Sequence, residues 1–137
     1  MLYVLARQGT IVRVFAVKSF RRFQRKEKID DEVVSDAIRR AERGQIDDDL
    51  GGGLIKQRVA RKGQGRSGGY RTIIAYRKGD RAAVLLCFAK SDRDNIDETE
   101  HRALVRLGGF ILQMTEKQLA DYMSEGQMSE IDYDDES

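Results

Sequence analysis

Basic side chains of a kind that could hold a phosphate group are concentrated in the central part of this sequence. Lys56 and Arg58 are two residues apart in the run LIKQRVA, which has the composition of a strand, so both are expected on one face. Arg71 starts the next predicted strand and joins them if the hairpin pairs in the usual register. Lys90 ends a third predicted strand and reaches the rim of that face. We interpret these four residues as candidate catalytic residues.

The chemistry open to such a cluster is narrow, because residues 54–78 contain no Asp, Glu or His. Cleavage of RNA needs neither a metal nor a protein nucleophile, since the ribose 2′-hydroxyl can attack the adjacent phosphate. The protein must then position the backbone, stabilise the developing charge and move protons. Guanidinium and ammonium groups can do the first two, and a lysine whose pKa is lowered by neighbouring cations can act as the base. The alternative is that the cluster is the solvated outer face of an antiparallel sheet.

A glycine-rich loop, RKGQGRSGG, connects the first two of these strands. It contains the pattern G-x-G-x-x-G, but a strand follows it, whereas a dinucleotide-binding motif must begin a helix. Its exposed N–H groups and the side chains of Arg61, Lys62 and Arg66 suit a phosphate of any origin, and RNA is one candidate ligand. Tyr70, directly after the loop, could stack on a base, and packing in the sheet is the alternative.

Composition excludes several classes of site. The one Cys and one His cannot form a disulfide framework or a zinc site, and we expect no metal and no cofactor. Cys87 lies in the apolar run AAVLLCFA and is expected to be an inert buried thiol. No run is long and apolar enough to cross a membrane, so we expect a cytoplasmic protein.

The formal net charge of +2 conceals a strong alternation along the chain. Residues 1–29, 30–52, 53–93 and 94–137 carry +7, −5, +9 and −9. Such asymmetry is typical either of a mixed solvated surface or of a face that binds polyanions while acidic elements pack elsewhere.

Hydrophobic periodicity predicts an α+β domain spanning residues 1–137, with a core at about 11–107 and a C-terminal helical extension and acidic tail at 108–137. We expect an N-terminal strand and two helices against an antiparallel sheet, followed by C-terminal helices. The predicted strands are Ile11–Val17, Leu54–Ala60, Tyr70–Arg77 and Ala82–Ala89. The predicted helices begin near Ser19, Asp30, Asp97 and Thr115, with Asp47–Gly53 as a turn and Gly108-Gly109 as a bend or an end.

The run GGLIKQRVARKGQGRSGGYR and the later segment FAKSDRDNI resemble the RelE/HigB toxins of bacterial type II toxin–antitoxin systems. The resemblance covers roughly Ile11 to Leu107 and is most specific in the basic loop combined with A-K-S-D. This chain differs from the best-known member of the family, which has an arginine at the position of Ser91.

The resemblance implies a RelE-like α+β fold and an endoribonuclease that cuts messenger RNA in the ribosomal A site. It also implies a cognate antitoxin, which in HigB systems is a helix-turn-helix DNA-binding protein. By motif, Lys56 and Arg58 match the family's strand cations, Arg71 matches the arginine expected at the scissile phosphate, and Lys90 matches the basic residue after the last strand. Two alternatives stay open, namely a ParE-like gyrase poison and a non-catalytic nucleic-acid-binding module of the same fold.

Overall fold

The computed structural model describes residues 11–61 and 65–135, except for the side chains of residues 65–67. Six strands and four helices are assigned in these ranges. The strands are β1 (Arg13–Val17), β2 (Asp48–Gly51), β3 (Leu54–Arg61), β4 (Gly65–Arg77), β5 (Arg81–Ala89) and β6 (Met128–Ile131). The helices are α1 (Lys18–Glu27), α2 (Asp31–Glu42), α3 (Glu98–Leu112) and α4 (Glu116–Ser124).

The strands form one sheet in the order β2-β3-β4-β5-β1-β6. Strands β2 to β5 are an antiparallel meander, as the short connections predict. The α+β class and the RelE-like arrangement are confirmed. The sheet is not wholly antiparallel, however, because β1 pairs with β5 in parallel. The intervening helices and strands supply the long connection that a parallel pair requires.

Helices pack on both faces of the sheet. Gln57 of β3 projects toward α2, where its Nε2 donates to the carbonyl of Ala37 at 3.0 Å. Leu54, three residues earlier on β3, projects to the other face and packs near Gly108 of α3. A Cβ atom at Gly108 would lie 2.6 Å from the Cβ of Ala75, so the helix can approach β4 this closely only with glycine there. Lys56 and Arg58 therefore share their face of the sheet with α3.

Several local predictions need correction. Asp97 and Thr115 cap their helices through complete capping boxes, as predicted. Ser19 does not cap α1, which begins at Lys18 after Val17. The predicted end at Gly108-Gly109 is wrong, because α3 continues through both glycines to Leu112.

Two short edge strands were missed. Residues 48–51, predicted as a turn, form β2 and pair with β3. Residues 128–131, which precede the acidic tail, form β6 and pair with β1. Met128 and Ile131 are buried there, so a short, weakly periodic segment is held by tertiary packing.

Candidate functional site

The strand register places Lys56, Arg58 and Arg71 on one face of the sheet. Arg58 and Arg71 are direct cross-strand partners, and Lys56 lies opposite Ile73. Cross-strand partners project to the same side, and so do residues two apart on one strand. The pairing register on which the predicted cluster depends is thus present. We call these three residues the sheet cations.

Arg71 is the most buried of the three, with 5% of its surface exposed. Its Nε donates to Oδ1 of Asp94 at 3.1 Å. Asp94 lies between β5 and α3, and its side chain is 67% exposed. The guanidinium is therefore fixed by its surroundings, whereas the carboxylate that it contacts borders the solvent.

Lys56 contacts the same connection. Its Nζ donates to the backbone carbonyl of Asp94 at 3.0 Å and lies 3.7 Å from Oδ2 of Asp48. Both of these contacts are with oxygen acceptors, one a backbone carbonyl and one a carboxylate. The antiparallel pairing of β2 with β3 places Asp48 directly opposite Lys56.

Arg58 contacts a second connection, between α2 and β2. Its Nη2 donates to Oδ1 of Asp47 at 3.1 Å, and its backbone N–H donates to Oδ2 of Asp47 at 2.7 Å. Arg40 of α2 donates to the same carboxylate at 3.1 Å. Burial alone would raise the pKa of Asp47, but these hydrogen bonds from Arg58 and Arg40 outweigh it, so the pKa lies below its usual value.

Each of the sheet cations thus has an acidic partner within the chain. The sequence indicated the cations but not their partners Asp47, Asp48 and Asp94. Residues 54–78 carry no acid, and these partners come from β2 and from two connections outside that range. The available signal was the acidic run Asp47–Asp49 immediately before the basic hairpin. A phosphate group that binds to Nε of Arg71 must displace the Asp94 carboxylate.

Lys90 lies just beyond the end of β5, and its side chain is exposed. Its backbone N–H donates to the carbonyl of Gly69 at 2.9 Å, which holds it beside the start of β4. Phe88, the cross-strand partner of Arg71, lies under the guanidinium of Arg93, 4.5 Å from ring centroid to Cζ. Arg93 is a further cation on this side, and no motif in the sequence pointed to it.

Tyr70 and Arg61 lie on the other side of the sheet from the sheet cations, beside α1. Tyr70 is 3% exposed, its hydroxyl donates to Glu27 of α1 at 2.9 Å, and its ring packs edge-on against Phe23. Arg61 lies over the Tyr70 ring at 5.5 Å and 4.0 Å from Glu27. This geometry counts against a stacking role for Tyr70, because its ring has no open face, and we leave it out of the proposed interface.

The remaining predicted loop contacts cannot be placed. Lys62 lies outside the described residues, and so does the side chain of Arg66. Within the described ranges, no group of three or more His, Cys, Asp or Glu residues could hold a metal ion. No helix in the described part of the chain is long and apolar enough to span a bilayer.

The fold and the sheet cations define a small α+β protein with a Lys/Arg cluster on the sheet face that α3 covers. A family model described as "RelE toxin of RelE / RelB toxin-antitoxin system" matches residues 12–131. The chain belongs to the RelE toxin family, and it is therefore the toxin of a toxin–antitoxin system, with an antitoxin as its partner. No curated protein and no solved structure matches the chain.

Proposed function

We propose that this toxin is a metal-independent endoribonuclease that cuts messenger RNA on the ribosome. Its cognate antitoxin would be a helix-turn-helix DNA-binding protein. The observation that carries the proposal is the placement of Lys56, Arg58 and Arg71 on one sheet face, two of them as direct cross-strand partners. Membership of the RelE family supports the same activity.

Arg71 is suited to hold the scissile phosphate. A guanidinium presents planar N–H donors that match phosphate oxygens, and burial fixes its orientation before a substrate arrives. Its carboxylate partner, Asp94, is mostly exposed, so it can move into solvent while Arg71 stays in place. Arg58 and Lys90, both exposed, would contact the neighbouring phosphates.

The reaction requires one bond to form and one to break. The ribose 2′-oxygen attacks the adjacent phosphorus, the P–O5′ bond breaks, and the products are a 2′,3′-cyclic phosphate and a 5′-hydroxyl. A proton leaves the 2′-hydroxyl and another reaches the 5′-oxygen. Lys56 is the member of the sheet cations that can exchange a proton, since an arginine stays protonated in proteins. Arg71 and Arg58 would stabilise the charge that develops on the phosphate.

One observation favours a second candidate, a toxin of this fold that does not cut RNA. Asp47, Asp48 and Asp94 already partner the sheet cations, so no anion is needed to compensate their charge. A ParE-like gyrase poison and a non-catalytic nucleic-acid-binding module both fit that arrangement.

The test is to map the 5′ ends of messenger RNA after induced expression. New ends within translated messages are expected for the wild type, and their loss is expected for R71A and for R58A. Arg58 is half-exposed, so R58A keeps the test valid if R71A fails to fold. K78A is the matched control, because Lys78 is an exposed cation in the β4–β5 turn, at the other end of the sheet.

A second arm examines the chemistry directly. A message with the 2′-hydroxyl removed at the mapped site should remain intact on ribosomes that present it to the toxin. Cleavage of that message would show that the 2′-oxygen is not the nucleophile. Intact messages together with trapped gyrase–DNA complexes would replace the nuclease with the ParE-like function.

A further inference from the structure

The two halves of α3 are held to the rest of the protein very differently. Its buried residues are Gly108, Ile111 and Leu112, all at the C-terminal end. Arg81 of β5 donates from Nη1 to the carbonyls of Ile111 and Met114, both at 2.9 Å, which fixes that end. Of the helix residues, all of which the structure describes, none before Gly108 is buried. The C-terminal end of α3 is therefore anchored, whereas its first ten residues pack loosely.

The loosely packed half of α3 continues the connection that contacts the sheet cations. Asp94, just before α3, accepts from Nε of Arg71 through Oδ1 and from Nζ of Lys56 through its backbone carbonyl. We call residues 94–107 the clasp, which runs from this aspartate to the residue before Gly108. As the chain is folded here, the clasp occupies a donor on each of two side chains that the proposed reaction uses.

The contacts that close the clasp lie near the surface. Nε2 of His101 donates to the carbonyl of Leu50 in β2 at 2.8 Å. Glu100 accepts from Nη1 of Arg93 at 2.8 Å, and the two side chains are 33% and 39% exposed. Such hydrogen bonds and exposed ion pairs each contribute little net stability, so the clasp can be released at a modest cost in free energy.

Gly109 gives the clasp a point about which it can move. Gly108 is required by its packing against Ala75, but a Cβ atom at Gly109 would meet no described atom within 4 Å. Glycine destabilises the interior of a helix relative to alanine, because its backbone loses more conformational freedom. Packing therefore does not account for Gly109, whereas a hinge between an anchored half and a loosely held half would.

We propose that the clasp opens as one unit about Gly108-Gly109, and that the closed arrangement is a self-blocked form of the toxin. Opening removes Asp94 from Arg71 and Lys56 and leaves both cations on the sheet, where the pairing of β3 with β4 holds them. The inference rests on the proposed function, because it concerns access to the same site. The free chain then binds RNA more weakly than its cations alone would allow, by the fraction of chains that are open.

The first test is native-state hydrogen exchange on the full chain. A released helix of about ten residues is marginal in water, so the amides of an open clasp exchange. We expect the amides of residues 102–107 to share one opening equilibrium and to exchange at least about tenfold faster than those of α2. H101A removes the hydrogen bond to Leu50, so it should speed exchange across all of residues 102–107 by about threefold to tenfold.

R106A is the matched control. Arg106 is an exposed residue of the clasp, and its side chain has no hydrogen bond or ion pair among the described residues. Alanine favours the helix in both variants, so faster exchange in H101A alone cannot come from helix propensity. R106A should change the exchange rate less than about twofold. Site-by-site fraying without a common opening equilibrium, or equal effects of the two variants, would overturn the proposal.

The second test adds a single-stranded 2′-O-methyl RNA, which has no free 2′-hydroxyl to attack. A ligand that binds only the open form increases its population, so saturating RNA should speed exchange of residues 102–107 at least about threefold. G109A changes no charge but favours the straight helix, so it should weaken RNA binding about twofold to fivefold. Slower or unchanged exchange of the clasp in the presence of RNA would overturn this inference and leave the proposed nuclease intact, as would unchanged affinity of G109A. Missing 5′ ends in expressing cells would overturn the nuclease, whereas exchange decides the clasp separately.

Discussion

Arg58 and Arg71 lie directly opposite each other on β3 and β4, yet carboxylates from two different connections hold them. Asp47, before β2, contacts Arg58, and Asp94, after β5, contacts Arg71. Two connections that are remote in sequence therefore meet on one cationic surface. The side chain of Asp47 is 18% exposed and contacts two arginines, whereas that of Asp94 is 67% exposed, so Asp94 is the partner that a substrate can displace more easily.

Removing the charge of Asp94 should strengthen binding of an uncleavable RNA. In D94N the phosphate no longer competes with a carboxylate for Arg71, while the backbone carbonyl that Lys56 contacts remains. An ion pair with a mostly exposed carboxylate contributes about 0.5–1 kcal/mol, so we expect Kd for a single-stranded 2′-O-methyl RNA to fall about twofold to fivefold. Fluorescence anisotropy measures the change.

The matched control for that prediction is D92N. Asp92 is exposed in the same connection and has no side-chain contact in the described residues, so the same change of charge should alter Kd less than about twofold. Equal tightening in both variants would assign the effect to net charge alone. Weaker binding of D94N would mean that the carboxylate helps to hold RNA.

Asp47 should contribute to the free energy of unfolding at neutral pH, and this contribution should be lost in acid. Its pKa is lowered in the folded state, so its contribution is fully present above the unfolded value of about 3.9 and is lost as the pH falls below it. D47N should lower the free energy of unfolding by about 1–3 kcal/mol at pH 7, because Arg40 stays buried with fewer acceptors. Urea unfolding at several pH values should show this difference shrinking below about pH 4.

D49N is the control for the loss of one negative charge in the same run, since the Asp49 side chain is exposed and accepts only from the N–H of Gly51. It should cost less than about 0.5 kcal/mol at every pH. If the loss of unfolding free energy in D47N stays constant below about pH 4, the Asp47 carboxylate is not the titrating group.

Cys87 should be inert in the folded protein. Burial raises the pKa of its thiol to about 12, although a hydrogen bond from Thr72 lowers it slightly. The thiolate is the reactive form, so a thiol reagent at pH 8 should label the native chain slowly and the guanidinium-denatured chain at once. Labelling of the native protein as fast as a free cysteine would mean that β5 is open to solvent.

Local sequence rules predicted the parts of this fold that depend on local chemistry. The capping boxes at Asp97 and Thr115 could be predicted because a helix start is specified by side chains three residues apart. The alternation in β3 likewise predicted that Lys56 and Arg58 share a face, and the pairing with β4 bears this out. The edge strands and the parallel β1–β5 pair could not be predicted, since distant partners stabilise them.

In the candidate site, too, the features set by local sequence could be predicted and those set by distant partners could not. The cations are close in sequence and repeat with the period of a strand, so their clustering was visible. Asp94 lies 23 residues from Arg71 and carries no local mark of the contact. Tyr70 looked accessible because it follows a glycine-rich loop, and only the packing of α1 across the sheet shows that Glu27 and Phe23 enclose it.

The neighbouring glycines of α3 should respond oppositely to the same substitution. In G108A the new Cβ would lie 2.6 Å from the Cβ of Ala75, so α3 must shift away from β4, at a cost of about 1–3 kcal/mol. In G109A the new Cβ meets nothing within 4 Å, and alanine is favoured over glycine in a helix by up to about 1 kcal/mol. Thermal unfolding should therefore give a lower Tm for G108A and a higher one for G109A. A gain at both positions would show that α3 does not pack against β4 as closely as this, and the face shared by α3 and the sheet cations would then be more open than described.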